Sequence, residues 1–232
     1  MEGRNKVISK TTSKKPTVLL ADDHAIVLDG LRRLLEPEFD LIGAVGDGWA
    51  LLEDAARLNP DVIVADVSMP LLNGIEAVRR LKKTSPSCKV VILSMHGELE
   101  IAAGALRAGA SAYVLKHSAA DTLSHAIRKA LDGQTFVSPR IAGNLDALMG
   151  FPQQKDAHAT QLTPREREVL QLVAEGRTIR GISSILKIAS RTVIFHKSNI
   201  MDKLGRRTTA DLTQYAIQNG VIDIRIPESA RI

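Results

Sequence analysis

Four apolar, largely β-branched runs set far apart in this 232-residue chain each end in a polar residue. Val18 to Ala21 runs into Asp22 and Asp23, Val62 to Ala65 into Asp66, Val90 to Leu93 into Ser94, and Tyr113 to Leu115 into Lys116. Continuous apolar runs separated by helix-length segments read as parallel strands buried on both faces. In an open α/β sheet the chemistry gathers in the crevice at the carboxyl ends of the strands. That geometry predicts that Asp22, Asp23, Asp66, Ser94 and Lys116 share one edge. Taken singly, each acid is equally well a solvated strand end. Three carboxylates, a hydroxyl and an ammonium together suit a hard divalent cation and a phosphoryl group.

Between and after these runs lie helical patterns, so residues 17–132 read as a doubly wound (βα)5 unit. Its helices stop at Pro37, Asn59-Pro60, Pro86, Gly109 and Gly133. Residues 133–160 carry weak periodicity and read as a linker, with a short helix expected around Ile141–Leu148. From Leu162 the pattern is wholly helical. Thr163-Pro164-Arg165-Glu166 is a capping box with proline at the first helical position. Helices are expected at about 164–175, 178–186, 191–204 and 208–219, the middle two joined by Lys187 to Ser190 as in a helix-turn-helix. The predicted architecture is α/β plus all-α: a basic arm at 1–16, a doubly wound domain, a linker, and a four-helix domain at 161–225.

The charge is unevenly placed. Residues 17–132 hold 12 Lys and Arg against 16 Asp and Glu, whereas 161–226 hold 11 against 6 and the first sixteen residues 5 against 1. An acidic unit followed by a basic one points to metal or phosphate chemistry first and a polyanion second. No apolar run approaches the roughly 18 residues of a membrane span, and the basic N-terminus lacks the apolar core of a secretory signal. The one cysteine, Cys88, excludes an internal disulfide, and a cytoplasmic location is expected.

Asp22-Asp23, Asp66-x-x-Met69-Pro70-x-x-x-Gly74, Ser94 and Gly109-Ala110-x-x-Tyr113-x-x-Lys116 resemble the receiver domain of two-component response regulators. Leu162 to Glu166 with Glu168-Val169-Leu170, Gly176, Arg191-Thr192-Val193-x-x-His196 and Lys203-Leu204-Gly205 resemble the LuxR-type DNA-binding domain. The order is that of NarL/FixJ-type regulators. The resemblance implies that Asp66 takes a phosphoryl group from a sensor histidine kinase as an acyl phosphate. It further implies Mg2+ on Asp22, Asp23, Asp66 and the Ser68 carbonyl, since Mg2+ suits an all-oxygen site with few protein ligands. Lys116 and Ser94 would contact phosphoryl oxygens. Ser94 and Tyr113 would act as the switch, Tyr113 turning into space that Ser94 vacates. A homodimer on activation, promoter DNA and RNA polymerase are the implied partners, with no membrane. Apart from its own phosphorylation and dephosphorylation, no enzymatic activity is implied.

On a helical wheel for 191–204, Val193, Lys197, Ile200 and Leu204 share the side expected to face the core, flanked by His196 and Met201. Arg191, Ile194, Phe195, Ser198 and Asp202 take the other. The expected DNA-contacting residues are Arg180, Lys187, Ser190, Arg191, Thr192, Ile194, Phe195, Ser198, Lys203, Arg206 and Arg207. Four positions depart from the family pattern. Ile194 and Ser198 stand where polar or basic residues are common, Ala189 replaces a capping serine so that Ser190 is expected to cap, and Gly181 replaces a glutamate. Two other classes remain open. A phosphorelay or protein-interaction module would explain apolar Ile194 and Phe195. An Asp-nucleophile phosphatase would need an acid two residues after Asp66, where Ser68 stands. His96 reads as a surface loop residue, and Cys88 and Trp49 as packing or surface residues.

Overall fold

The structure is a computed structural model that describes residues 14–143 and 162–223. In the first unit, strands β1 (Thr17–Ala21), β2 (Asp40–Val45), β3 (Val62–Asp66), β4 (Lys89–Ser94) and β5 (Ala112–Leu115) alternate with helices α1 (Ala25–Leu35), α2 (Gly48–Leu58), α3 (Gly74–Thr84), α4 (Leu99–Ala108) and α5 (Ala119–Leu131). The sheet is parallel throughout, in the order β2-β1-β3-β4-β5-β6. The sixth strand, Phe136–Val137, lies in the stretch read above as linker; two residues are too short for alternation to reveal. Residues 139–143 are helical. The remainder of the helix expected around Ile141–Leu148, and nearly all of the basic arm, lie outside the described residues.

Because side chains alternate across a strand, each apolar run divides between two cores. Leu19, Ile63, Ile92 and Tyr113 pack with α2, α3 and α4, whereas Val18, Leu20, Val64, Val91 and Val114 pack with α1 and α5. The sequence of β3 therefore contains no polar residue before Asp66. The order reverses at β1, whose neighbours are β2 and β3, and a crevice opens there.

The second unit consists of α6 (Pro164–Ala174), α7 (Ile179–Leu186), α8 (Ser190–Leu204) and α9 (Thr209–Gln218) around Val169, Leu172, Ile182, Val193, Ile200 and Leu212. The predicted capping box forms in full: Thr163 N–H donates to Glu166 Oε2 at 2.7 Å, and Glu166 N–H to Thr163 Oγ1 at 3.2 Å. Thr208 and Asp211 make a second box at the start of α9. Ser190 does not cap α8. Ala189 holds that position with no side-chain bond, and Ser190 is the first helical residue. Thr178 caps α7, accepting from Gly181 N–H at 3.1 Å. Between α7 and α8 the chain turns through Lys187 in the left-handed region, φ 51°.

Two glycines are fixed by close backbone approach. A Cβ on Gly74 would lie 2.0 Å from the carbonyl oxygen of Asp66, and one on Gly48 2.1 Å from that of Leu72. Neither obstacle is a flexible side-chain end that could swing aside. Gly74→Ala is expected to destabilise the fold by roughly 1–3 kcal/mol or more through overpacking, measured by denaturant unfolding. Gly104→Ala, where a Cβ meets nothing within 4 Å, should be neutral or slightly stabilising.

Candidate functional site

Strand register places the polar strand ends together. Ala21 pairs with Ala65, so Asp22 falls beside Asp66; Asp66 pairs with Leu93, just before Ser94; Ser94 pairs with Leu115, just before Lys116. Asp22 and Asp66 are 1 % and 3 % exposed. Lys116 Nζ lies 2.8 Å from Asp22 Oδ2 and 3.1 Å from Asp66 Oδ1. Burial pushes the Asp66 carboxyl up to about 6, with Lys116 opposing and the Asp22 charge reinforcing the rise. Burial alone would lower the Lys116 ammonium, but Asp66 and Asp22 outweigh it and its pKa stands raised.

Asp66 Oδ2 is buried and has no hydrogen-bond partner among the described residues. Three carboxylates against one ammonium leave two negative charges, which one divalent cation balances. An orphaned oxygen in an all-oxygen cluster with a raised acid suits such a cation. The sequence reading missed His24. Its Nδ1 lies 3.2 Å from both Asp22 Oδ1 and Asp23 Oδ1, and its N–H donates to Asp22 Oδ1 at 2.9 Å. The consecutive Asp22-Asp23-His24 was the available signal.

Ser94 and Tyr113 are connected through His96. Ser94 Oγ, fully buried, accepts from His96 N–H at 2.9 Å, and Tyr113 Oη donates to the His96 carbonyl at 2.8 Å. Tyr113 is wholly buried. Burial, partly offset by the Ser94 hydroxyl, pushes its phenol up to about 12. His96 is no simple surface residue: its Nε2 lies 2.9 Å from Asp223 Oδ1, beyond α9. Strand patterning cannot foretell a partner 127 residues away.

The two units meet beside this site. Gln171 on α6 accepts from Asn73 N–H at 2.7 Å and donates to the Met69 carbonyl at 2.8 Å. Glu175 accepts from Leu71 N–H at 3.0 Å, and Asn73 Nδ2 donates to the carbonyls of Gly220 and Val221. Ion pairs join Arg80 to Glu168 and Arg167 to Glu76. Trp49 belongs to this contact, with the Arg80 guanidinium 4.5 Å from its ring centroid. Cys88 is buried, its thiol pushed up to about 11 by burial, as suits a packing residue.

On α8 the wheel is reproduced. Val193 and Ile200 are buried, while Arg191, Ser198 and Asp202 are exposed, as are Ile194 at 57 % and Phe195 at 61 %. Arg180, Lys187 and Arg207 are exposed, and Ser190, Thr192 and Arg206 half-buried. Lys203 stands apart from this face. Its Nζ is 2.7 Å from Glu166 Oε2, so it neutralises the buried acid of the α6 capping box. Among the described residues, no helix is long and apolar enough to cross a membrane.

Residues 18–128 match the family described as "Response regulator receiver domain", and residues 160–216 that described as "Bacterial regulatory proteins, luxR family". The chain is 37% identical over 214 residues to the transcriptional regulatory protein MctR of Rhizobium johnstonii, covering 91% of this chain and 98% of that one. It is 33% identical over 209 residues to the response regulator GacA of Pseudomonas aeruginosa, covering 89% and 97%. Among solved structures, it resembles the RcsB response regulator of Salmonella typhimurium, with a TM-score of 0.65 and 28% identity over 89% of this chain and 99% of that chain. It also resembles RcsB from Salmonella enterica serovar Typhimurium bound to promoter rprA in the presence of phosphomimetic BeF3-, with a TM-score of 0.61 and 30% identity over 87% and 98%. An acid-lined crevice on a doubly wound sheet, joined to a helix-turn-helix with one bare face, thus belongs to a transcriptional response regulator with a receiver domain and a LuxR-type DNA-binding domain.

Proposed function

We propose that Asp66 is the phosphoacceptor and that its modification controls DNA binding by the output domain. The buried, orphaned Asp66 Oδ2 beside Lys116 carries this reading. Asp66 attacks the phosphorus of a phosphohistidine on a sensor kinase; an O–P bond forms, the N–P bond breaks, and its electron pair returns to the imidazole. Lys116 offsets charge on the phosphoryl oxygens, and Ser94 can donate its hydroxyl proton to one of them. Asp22, Asp23, Asp66 and the Ser68 carbonyl would hold Mg2+, which stabilises charge on the transferring group. The buried residue two beyond Asp66 is Ser68, so no second acid follows the nucleophile as a phosphatase of that class requires.

Specific binding by one small helix-turn-helix makes few contacts, so a homodimer on paired half-sites supplies the affinity. RNA polymerase is the further expected contact, and the cytoplasm the expected location. Ile194 and Phe195 have no side-chain hydrogen-bonding atoms and suit thymine methyls in the major groove. Arg191, Lys187 and Arg180 supply phosphate contacts.

Three results test this reading. A small phosphodonor with Mg2+ should add one base-labile phosphate, and Asp66→Asn should abolish it; the same peptide remaining modified in that variant rejects the assignment.

The second concerns stability in chelator. The Asp66 pKa is raised from 3.8 to about 6, so the native state binds the extra proton between those values. Below 3.8 the group contributes no penalty. As pH rises through 6 its ionised form costs stability. Asp66→Asn should therefore be more stable than wild type at pH 8, by roughly 1–3 kcal/mol. The advantage should shrink as pH falls from 6 towards 4 in paired unfolding curves, and Mg2+ should raise the midpoint of wild type more than that of the variant.

The third concerns DNA. Phe195→Ala should relax preference at a T·A position, costing about 1–3 kcal/mol there. Lys187→Ala should weaken all sequences alike and flatten the salt dependence. Lys203→Ala should act mainly on fold stability, because its partner is Glu166. Titrations over a randomised-site library at two salt concentrations separate these outcomes.

A further inference from the structure

The output domain places a carboxylate at the mouth of the acidic crevice. Asp223 is positioned from both sides. Its predecessors Gly220 and Val221 give their carbonyls to Asn73 Nδ2 at 3.2 and 3.1 Å, and its own Oδ1 sits 2.9 Å from His96 Nε2. The His96 bond holds its pKa below the usual carboxylate range, with the Ser68 hydroxyl and the Lys116 ammonium acting in the same direction; its charge in turn adds to the rise at Asp66. Asp223 therefore feels the crevice electrostatically, and the crevice feels Asp223. The Ser68 hydroxyl makes no well-aligned hydrogen bond among the described residues, so this proximity is looser than the His96 contact. Glu98, 3.6 Å from His96 Nδ1, is the other acid against that imidazole.

We propose that Asp223 is a charge sensor: seated on His96, it ties the output domain to the receiver while Asp66 is unmodified, and it is displaced when Asp66 carries a phosphoryl group. The proposal rests on the reading of Asp66 as phosphoacceptor. A phosphoryl group brings about −1.5 to −2 charges where the carboxylate had one. The added negative charge sits beside Lys116, the ammonium that acts on both Asp66 and Asp223, and it opposes the carboxylate that fastens the domain. A second link runs through the backbone. Ser94 accepts from His96 N–H and Tyr113 donates to the His96 carbonyl, so a Ser94 drawn to a phosphoryl oxygen pulls on the residue that holds Asp223. Linkage then requires the reverse effect: docking that phosphorylation weakens must itself disfavour phosphorylation by the same factor.

The backbone N–H groups of Leu71 and Asn73, which donate to Glu175 and Gln171 across the contact, provide the readout. Amide hydrogen exchange at these two positions is followed in the full-length protein with Mg2+, with and without acetyl phosphate. Without the donor, Asp223→Asn and His96→Gln should each speed exchange by about 5-fold or more, a modest coupling. The double variant should add little to either. Acetyl phosphate should accelerate wild type towards the variants' rate and affect the variants less, and Asp223→Asn should be phosphorylated faster. Donor-free exchange at the wild-type rate in both single variants overturns the proposal. So does phosphorylation of wild type that leaves these amides unchanged. If acetyl phosphate fails to modify Asp66 at all, the phosphoacceptor reading fails, whereas the donor-free comparison, repeated in Asp66→Asn, still decides whether Asp223 holds the domains together.

Discussion

Lys116 lies within 3.1 Å of two carboxylates that are almost wholly removed from water. An uncompensated charge in such a place costs several kcal/mol, and the surrounding structure follows from meeting that cost. The ammonium must arrive at the end of β5, the acids at the ends of β1 and β3, and the register of three strand pairs must hold to the residue. A one-residue slip in β3 would carry Asp66 to the other face of the sheet. Gly74 lets α3 begin against the Asp66 carbonyl, and so fixes the backbone from which that side chain extends. The neutralisation is incomplete, and the surplus negative charge is what gives the site an appetite for a cation.

The loop after β3 serves two structures at once. Asp66 and Ser68 face the crevice, while Met69, Leu71 and Asn73 are gripped by α6 and the end of α9. Leu71 has a φ of 66°, which a branched side chain adopts only at a cost, and its N–H is held by Glu175. The crevice and the output domain are thus joined by a short segment and by His96, without a long relay of side chains.

Much of this was legible in the chain. The strand runs and their polar ends follow from the buried parallel sheet, because a strand covered on both faces leaves no other place for a charge. Thr163 to Glu166 announced the start of α6, and the period of Val193, Ile200 and their neighbours separated the two sides of α8. Two kinds of feature were hidden. Phe136–Val137 is too short for periodicity, and pairing with β5 alone makes it a strand. His96, Asp223, Gln171 and Glu168 look like ordinary solvated polar residues, and the docking of one domain on the other gives each a partner that no local pattern foretells. The partner of Lys203 was hidden for a different reason: a basic residue near the turn reads as a polyanion contact, and sequence does not show the buried Glu166 of the same domain within its reach.

The contact between the domains is fastened mainly by arginines, glutamates, a glutamine and an asparagine, with Trp49 and Leu71 adding a small apolar part. On separation the polar groups return to water, and the apolar surface uncovered is confined to the neighbourhood of Trp49 and Leu71. Ionic strength then acts twice on the molecule. It loosens the ion pairs that hold the output domain in place, and it also weakens the hold of that domain on a phosphate backbone. Salt is thus set against itself in this molecule: the same screening that frees the output domain from the receiver weakens the contact which a freed domain can make with a polyanion.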